Sequence, residues 1–216
     1  FLKDLEYAKE DTNKVSLLLD IEKKYFNIDL DSALYYNQLC EKLILKIDAR
    51  QYKHRCFHDF VKIYHAKNDY KNALDYCLKS IKVAEQNNNK FQKATSYRAI
   101  FNLYHNLNMN DSAVKYAIYS IKLTTEIGDT SNIATNYGNL CWLYMDLNQY
   151  GKAIVYGLKG VEAGERYADT VGLLISINNL ALCYVRTGKN DEAIALFKKQ
   201  VEIGKRARKT ARFESR

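Results

Sequence analysis

Proline is absent from this chain of 216 residues, which also has only two methionines and one tryptophan. A protein of average composition and this length would contain about ten prolines. Because a proline ring disrupts a helix interior, its absence favours a chain built from long helices. No run of residues approaches the ~20 apolar residues of a membrane span, and no signal peptide is recognisable. We therefore expect no membrane contact within this segment.

Motifs of catalysis and of cofactor binding are also missing. The sequence contains no glycine-rich phosphate loop, no GxSxG and no CxxC. His54 and His58 would share one side of a helix, but no acidic or cysteine ligand completes a metal site with them. We expect these histidines to be solvated or to line a groove. The sequence thus predicts no enzyme activity, no catalytic residue, no cofactor and no bound metal.

The cysteines show no regular pairing, and each falls in an apolar helical context: Cys40, Cys56, Cys77, Cys141 and Cys183. We predict that they are buried free thiols. An odd and unpatterned number of cysteines favours a reducing compartment, although sequestered thiols also persist in the periplasm.

The formal net charge of +8 is concentrated at one end of the chain. Between Lys198 and Arg216 there are eight basic and two acidic residues, so the rest of the chain carries only +2. A nucleic-acid groove would spread Lys and Arg along one face. We interpret the basic segment as a solvated helix end and expect no specific nucleic-acid binding. Weak, salt-sensitive binding of nucleic acid through this segment is the alternative.

A single repeating unit organises the chain. Successive units superimpose four tyrosines and four alanines: Tyr64, Tyr104, Tyr144 and Tyr184, with Ala73, Ala113, Ala153 and Ala193. A period of roughly 40 residues is typical of a solenoid, in which each unit packs only against its neighbours. Within a unit, large residues at spacings of three and four share one helix face, and the alanine lets a second helix approach.

The repeat predicts ten antiparallel helices and no sheet. We expect a helical stub at 1–10 and an array at 11–209, followed by a basic tail at 210–216. The array consists of a degenerate hairpin at 11–49 and regular hairpins at 50–89, 90–129, 130–169 and 170–209. Asp11 is expected to cap the first helix. The first helix of each regular hairpin should end at a residue that tolerates the left-handed conformation: Asn68, Asn108, Asn148 or Gly188.

The order of residue types in each unit resembles the tetratricopeptide repeat. It is carried by Tyr137, Leu140, Cys141, Tyr144, Asn148 and Ala153 in one unit, and by Ile177, Leu180, Ala181, Tyr184, Gly188 and Ala193 in the next. The units are longer than the common form of about 34 residues, and Val61 and Phe101 replace a small residue. The resemblance implies an all-α, right-handed α-solenoid of antiparallel hairpins that binds proteins or peptides.

The start of the array has a narrower resemblance. It resembles the lead-in of sensory tetratricopeptide arrays in bacterial two-component histidine kinases and related regulators, through Asp11, Thr12, Val15, Leu18, Tyr25, Asp31, Ala33 and Tyr36. This implies the sensory or interaction segment of a larger signalling protein, with a membrane helix and a signalling module after residue 216 and a periplasmic location. The alternatives are a soluble cytoplasmic scaffold and a peptide-pheromone receptor, and the unpaired cysteines favour the cytoplasm.

In the tetratricopeptide family, outward-facing positions of the first helices line a concave groove. The resemblance implies a peptide-binding groove lined by Arg55, His58, Lys62, Arg98, Asn102, Asn139, Trp142, Asn178 and Asn179, with Asp59, Thr95, Met145 and Leu182 beside them. Asparagines could hold the backbone of an extended peptide, and Trp142 could be its apolar anchor. Alternatively, the asparagines bond to one another or to water. Gly138 and Trp142 leave the carboxylate clamp of chaperone-binding arrays incomplete.

Overall fold

The computed structural model describes residue 5, residues 7–130 and residues 132–214, with residues 207–214 described by their backbone alone. This part of the chain is helical and contains no strand, so the prediction of an all-α chain is confirmed. A short 3₁₀ turn at Arg50–Tyr52 precedes the third helix. The helices are α1 (Thr12–Tyr25), α2 (Leu30–Lys46), α3 (Lys53–Ala66), α4 (Tyr70–Gln86), α5 (Lys90–Asn106), α6 (Asn110–Glu126), α7 (Ile133–Asp146), α8 (Tyr150–Arg166), α9 (Thr170–Arg186) and α10 (Asn190–Glu214).

The last helix is longer than the sequence pattern suggested. Helix α10 continues to Glu214, whereas a tail was expected from residue 210. No proline or glycine follows Gly204, and this stretch is rich in lysine, arginine and alanine, which are strong helix formers. At the other end of the chain, half of the predicted stub at 1–10 lies outside the described residues. No helix in the described part of the chain is both long and apolar enough to cross a membrane.

Residues in the left-handed conformation follow the helices at a regular spacing. Positive φ angles occur at Asp48, Asn68, Asn88, Asn108, Gly128, Asn148, Ala168 and Gly188. The next backbone amide then donates to the carbonyl five residues earlier, as from Asp69 to Tyr64 at 2.8 Å. This bond satisfies a carbonyl that the helix end leaves free. The left-handed residues predicted within the hairpins are confirmed, and the same turn also joins successive hairpins.

Side chains with carboxylate or amide oxygens cap several helices at their first turn. Asp11 accepts hydrogen bonds from two backbone amides of α1, at 2.8 and 3.2 Å, so its predicted role is confirmed. Asp69, Asn89 and Asp169 each accept one such bond, at the starts of α4, α5 and α9. These contacts satisfy amides that have no partner inside the helix.

The chain divides into two compact units, of which the first is Phe1–Asn108 and contains α1 to α5. Its core is formed by large apolar side chains, including Val15, Leu18, Leu19, Leu43, Ile44 and Phe60. The ring of Phe60 stacks on that of Tyr76, with 4.2 Å between centroids. The buried amide of Asn37 donates to the carbonyl of Cys56 at 3.1 Å, which joins α2 to α3.

The second unit is Met109–Arg216 and contains α6 to α10. Small residues let α8 lie close to its neighbours, because Ala153, Gly157, Gly160 and Gly164 all lie on its buried face. The apolar residues that pack there include Val161, Leu173, Ile177 and Leu180. The hydroxyl of Ser176 donates to the carbonyl of Ala134 at 3.0 Å, so this buried polar group is satisfied.

All five cysteines are free and buried, which confirms the prediction. Burial raises the pKa of the Cys77 thiol to about 12. Burial likewise raises the pKa of Cys141 to about 12, to which the nearby Cys183 contributes. Both thiols are therefore protonated at neutral pH and are poor nucleophiles.

Candidate peptide-binding site

A cleft of about 530 Å³ lies between α1 and α3 in the first unit; we refer to it as the α1–α3 cleft. Three predicted site residues, Arg55, His58 and Lys62, line it from α3 together with Asp59. Its other wall is formed by residues of α1 and of the turn after it: Glu22, Lys23, Phe26 and Asn27.

A second cavity of about 220 Å³ lies between α3 and α5; we refer to it as the α3–α5 cavity. It shares His58 and Lys62 with the α1–α3 cleft, and Arg98 and Asn102 line it from α5. The predicted site residues of the first unit therefore lie around two adjoining cavities. Their groups are two kinds of cation, an imidazole and an amide.

Asp59 lies at the floor of the α1–α3 cleft and is only 6% exposed, although the sequence pattern placed it on an outward face. Lys62 Nζ donates to its Oδ1 at 2.9 Å, and Arg55 Nε lies 4.0 Å from its Oδ2. Arg55 also approaches Asp20, at 3.7 Å. A buried carboxylate requires such partners. The expectation of an exposed Asp59 is wrong because these cations cover and neutralise it.

Glu22 is the second carboxyl group of the cleft, and it is 3% exposed. Its pKa is raised to about 7, first by burial and then by the nearby Asp59 carboxylate. Lys62, Arg55 and Lys23 oppose this rise in pKa but do not cancel it. Glu22 therefore gains and loses its proton near neutral pH.

His58 is shared by both cavities and is uncharged at neutral pH. Burial lowers its pKa to about 4, and the positive charge of Lys62 adds to that effect. A neutral imidazole has one donor and one acceptor nitrogen. His58 can therefore bond to either polar group of a peptide backbone.

His54 has a structural position instead of the solvated one that the sequence suggested. It is 9% exposed, and its Nε2 lies 3.1 Å from the carbonyl oxygen of Gln92. The hydroxyl of Ser96 lies 3.4 Å from the same nitrogen. The side chain thus joins α3 to α5, and the expectation of a solvated His54 is wrong. Among the residues that the structure describes, no group of three or more His, Cys, Asp or Glu could hold a metal ion.

The predicted site residues of the second unit lie on α7 and α9. Trp142 on α7 is 38% exposed, and Leu182, one repeat later on α9, is 39% exposed. Asn179 Nδ2 donates to the carbonyl of Gly138 at 2.9 Å, while Asn178 Nδ2 lies 3.5 Å from Asn179 Oδ1. Asn178 thus contacts a neighbouring asparagine, as the alternative expects, whereas Asn179 bonds to a backbone carbonyl. The other predicted asparagine, Asn139, is partly buried.

The contribution of α1 to the cleft was missed in the sequence. The turn between α1 and α2 is one residue longer than the turn between α3 and α4, so α1 falls out of phase with the common repeat. A signal was nevertheless present. Val15, Leu18, Leu19 and Glu22 follow the i, i+3, i+4, i+7 spacing of a buried helix face, which placed an acidic residue where an apolar one is usual.

Comparison with known families identifies the repeats. Residues 54–87 and residues 176–210 each match a model described as the tetratricopeptide repeat. The chain contains tetratricopeptide repeats. The first match covers α3 and α4, and the second covers most of α9 with the greater part of α10. No curated protein matches the chain in sequence.

Known structures extend this similarity over nearly the whole tetratricopeptide array. BtubC (BKLC) from P. vanneervenii gives a TM-score of 0.76 at 15% identity, covering 91% of this chain and 81% of that one. The STAND signal-transduction ATPase of Pyrococcus horikoshii has a tetratricopeptide repeat sensor. It gives a TM-score of 0.79 at 17% identity, covering 94% of this chain and 32% of that one. This chain thus spans about a third of that ATPase. A Rap protein in complex with competence and sporulation factor gives a TM-score of 0.72 at 13% identity, covering 95% of this chain and 68% of that one. These similarities show that the chain has the α-solenoid fold of tetratricopeptide proteins.

Proposed function

We propose that this chain is a non-enzymatic binding array. It holds a protein or an extended peptide against the outward face of the first helices of its repeats, which are α1, α3, α5, α7 and α9. We further propose that it is the sensory or interaction segment of a larger bacterial signalling protein.

The observation that carries this proposal is the pair of adjoining cavities in the first unit. Both open along α3, and their shared residues, His58 and Lys62, provide a neutral imidazole and a cation. Asn102 adds an amide that both donates and accepts. An extended peptide has alternating backbone donors and acceptors, which such a mixture of groups can satisfy. Concave sites of this kind are typical of ligand binding.

The second unit supports the proposal with apolar groups. Trp142 and Leu182 expose large side chains on the first helices of successive repeats. Tryptophan is enriched among the residues that contribute most to the free energy of binding. An apolar side chain of the partner could therefore be anchored at Trp142.

The signalling role is supported by the printed descriptions of similar structures. One is a signal-transduction ATPase whose tetratricopeptide repeats are a sensor, and another is a Rap protein in complex with a sporulation factor. Both agree with the resemblance of residues 11–36 to sensory arrays. Recognition of a short signalling peptide is accordingly the form of binding that we favour over a static scaffold.

The proposal is tested by selecting ligands from a phage-displayed library of random peptides, with the full chain as the target. The selected peptides are then titrated by calorimetry against the wild type, His58→Ala and Arg98→Ala. We expect each substitution to weaken binding about five- to tenfold, which corresponds to ~1 kcal/mol or slightly more.

Lys82→Ala is the matched control, because Lys82 is an exposed cation on α4, the second helix of the hairpin that contains His58. It should leave the affinity unchanged. Peptides that bind His58→Ala and Arg98→Ala as tightly as the wild type would place the binding site elsewhere. An outcome in which no peptide is selected would also count against the proposal.

A further inference from the structure

A buried carboxyl group without a hydrogen-bond partner lies in the α1 wall of the α1–α3 cleft. Glu22 is 3% exposed and lines this cleft, yet among the described residues no hydrogen bond or ion pair involves its side chain. We propose that Glu22 and Asp59 together bind a cationic group of the partner peptide, either an ammonium or a guanidinium. This inference rests on the proposed function and names the chemistry that the first unit recognises.

The position of Glu22 in the repeat supports a binding role. It lies three residues before the last residue of α1, and the corresponding residues of the other first helices are all apolar and buried: Ile63, Leu103, Leu143 and Cys183. A carboxyl group at such a position is costly to ionise, because it loses part of its hydration without gaining a hydrogen-bond partner. A local conflict of this type is characteristic of functional sites.

The buried groups determine which ligand charge fits. Glu22 and Asp59 are held in place by burial, whereas the side chains of Arg55 and Lys62 are each 51% exposed. Because about half of each of these cationic side chains reaches solvent, it can move aside for a ligand, whereas the two carboxyl groups cannot. An entering cation can therefore replace Lys62 at Asp59 and meet Glu22 at the same time. A carboxylate ligand would instead place a further negative charge beside Asp59 and, above neutral pH, beside ionised Glu22.

Binding of a cation should release a proton. Burial and the charge of Asp59 hold the pKa of Glu22 near neutral pH, and the cations facing it are Arg55 and Lys62 from α3 and Lys23 from α1. When an ammonium or guanidinium binds, the Glu22 carboxyl group transfers its proton to solvent and becomes a carboxylate. With a pKa of about 7, the ionised fraction of Glu22, and with it the affinity for a cation, should rise about tenfold from pH 6 to pH 8.

The test uses two small probes of equal carbon number and opposite charge, butylammonium and butyrate. Each is titrated into the full ¹⁵N-labelled chain, and backbone amide shifts around residues 22 and 59 report binding. We expect butylammonium to bind at the cleft more tightly than butyrate does. Glu22→Gln should weaken butylammonium binding at least fivefold and remove its dependence on pH.

Asp75→Asn is the matched control, because it removes a carboxylate from an exposed position of the same unit that does not line the cleft. It should preserve the affinity and the pH dependence. Tighter binding of butyrate, or equal binding of butylammonium to Glu22→Gln and wild type, would overturn the inference. If butylammonium binds at residues 22 and 59 but no peptide can be selected, the cation subsite is supported and the proposed peptide-binding function is not. Failure of the subsite can therefore be told apart from failure of the proposed function.

Discussion

Gly164 on α8 lies against Leu173 on α9 so closely that a β-carbon at residue 164 would be 2.6 Å from the β-carbon of Leu173. One repeat later, the equivalent residue Gly204 has no atom within 4 Å of such a β-carbon. The same residue type thus occupies a crowded position in α8 and an open one in α10. These two glycines allow helix packing and helix propensity to be separated.

Gly164→Ala should destabilise the protein by ~1–3 kcal/mol, because a methyl group at this position forces α8 and α9 apart. Gly204→Ala should stabilise it by up to ~1 kcal/mol, because alanine is the better helix former and meets no obstacle there. Urea unfolding followed by circular dichroism measures both effects. Equal unfolding free energies for the two variants would mean that α8 and α9 are not packed as described.

Ala168→Gly should stabilise the protein by ~1 kcal/mol, because alanine adopts the left-handed conformation at a cost and glycine adopts it freely. Ala168 has a φ angle of +53°, within that region. The reverse change tests the same turn one helix later, where Gly188 has a φ angle of +73°. Gly188→Ala should lower the thermal midpoint. A lower midpoint for Ala168→Gly would contradict the proposed origin of the effect.

Glu22→Gln should raise the free energy of unfolding by ~2–3 kcal/mol more at pH 8 than at pH 5, since each unit of pKa shift corresponds to about 1.4 kcal/mol. The pKa of Glu22 is raised from 4.5 to about 7 in the folded state, so the folded protein binds this proton more tightly than the unfolded chain does. The wild type therefore loses stability as the pH rises from about 4.5 to about 7, and the loss is complete above that range. Glutamine cannot ionise and does not lose this stability. Urea titrations at the two pH values check the difference, and a gain that is the same at both would show that ionisation is not its cause.

Trp142→Ala should weaken the binding of selected peptides by ~2 kcal/mol while it changes the thermal midpoint little. The side chain is 38% exposed and does not belong to the fully buried core. Leu158→Ala on α8 is the control, because it removes a comparably exposed apolar side chain from a second helix. A large drop in the midpoint of Trp142→Ala would instead identify the tryptophan as a core residue.

The repeat pattern predicted the helices because each of its features has a local cause. Asn68 and Gly188 tolerate positive φ, so the turns could be placed before any contact was known. Ala153 and Ala193 are buried at their helix crossings, in agreement with the close approach expected at small residues. The extent of α10 was harder to predict, since nothing in its sequence marks an end at residue 209.

The features that were missed depend on contacts between distant residues. His54 is 38 residues from Gln92, and no local pattern reveals that an imidazole will bond to that carbonyl. Asp59 is buried beside Arg55 and Lys62, which lie four residues before it and three residues after it on the same helix. That spacing allows the side chains to meet, but it does not show that they do. The place of Glu22 in the cleft was not recognised, because the longer turn after α1 shifts that helix out of phase with the common repeat.

The most direct test of the binding account is the map of amide and side-chain resonances that move when a selected peptide is titrated into the ¹⁵N-labelled chain. The single tryptophan gives one indole signal, and the arginine Nε–H groups report on Arg55 and Arg98. The account predicts that the largest changes fall on α1, α3, α5, α7 and α9, including His58 and Lys62. Changes confined to the second helices, α2, α4, α6, α8 and α10, would contradict it.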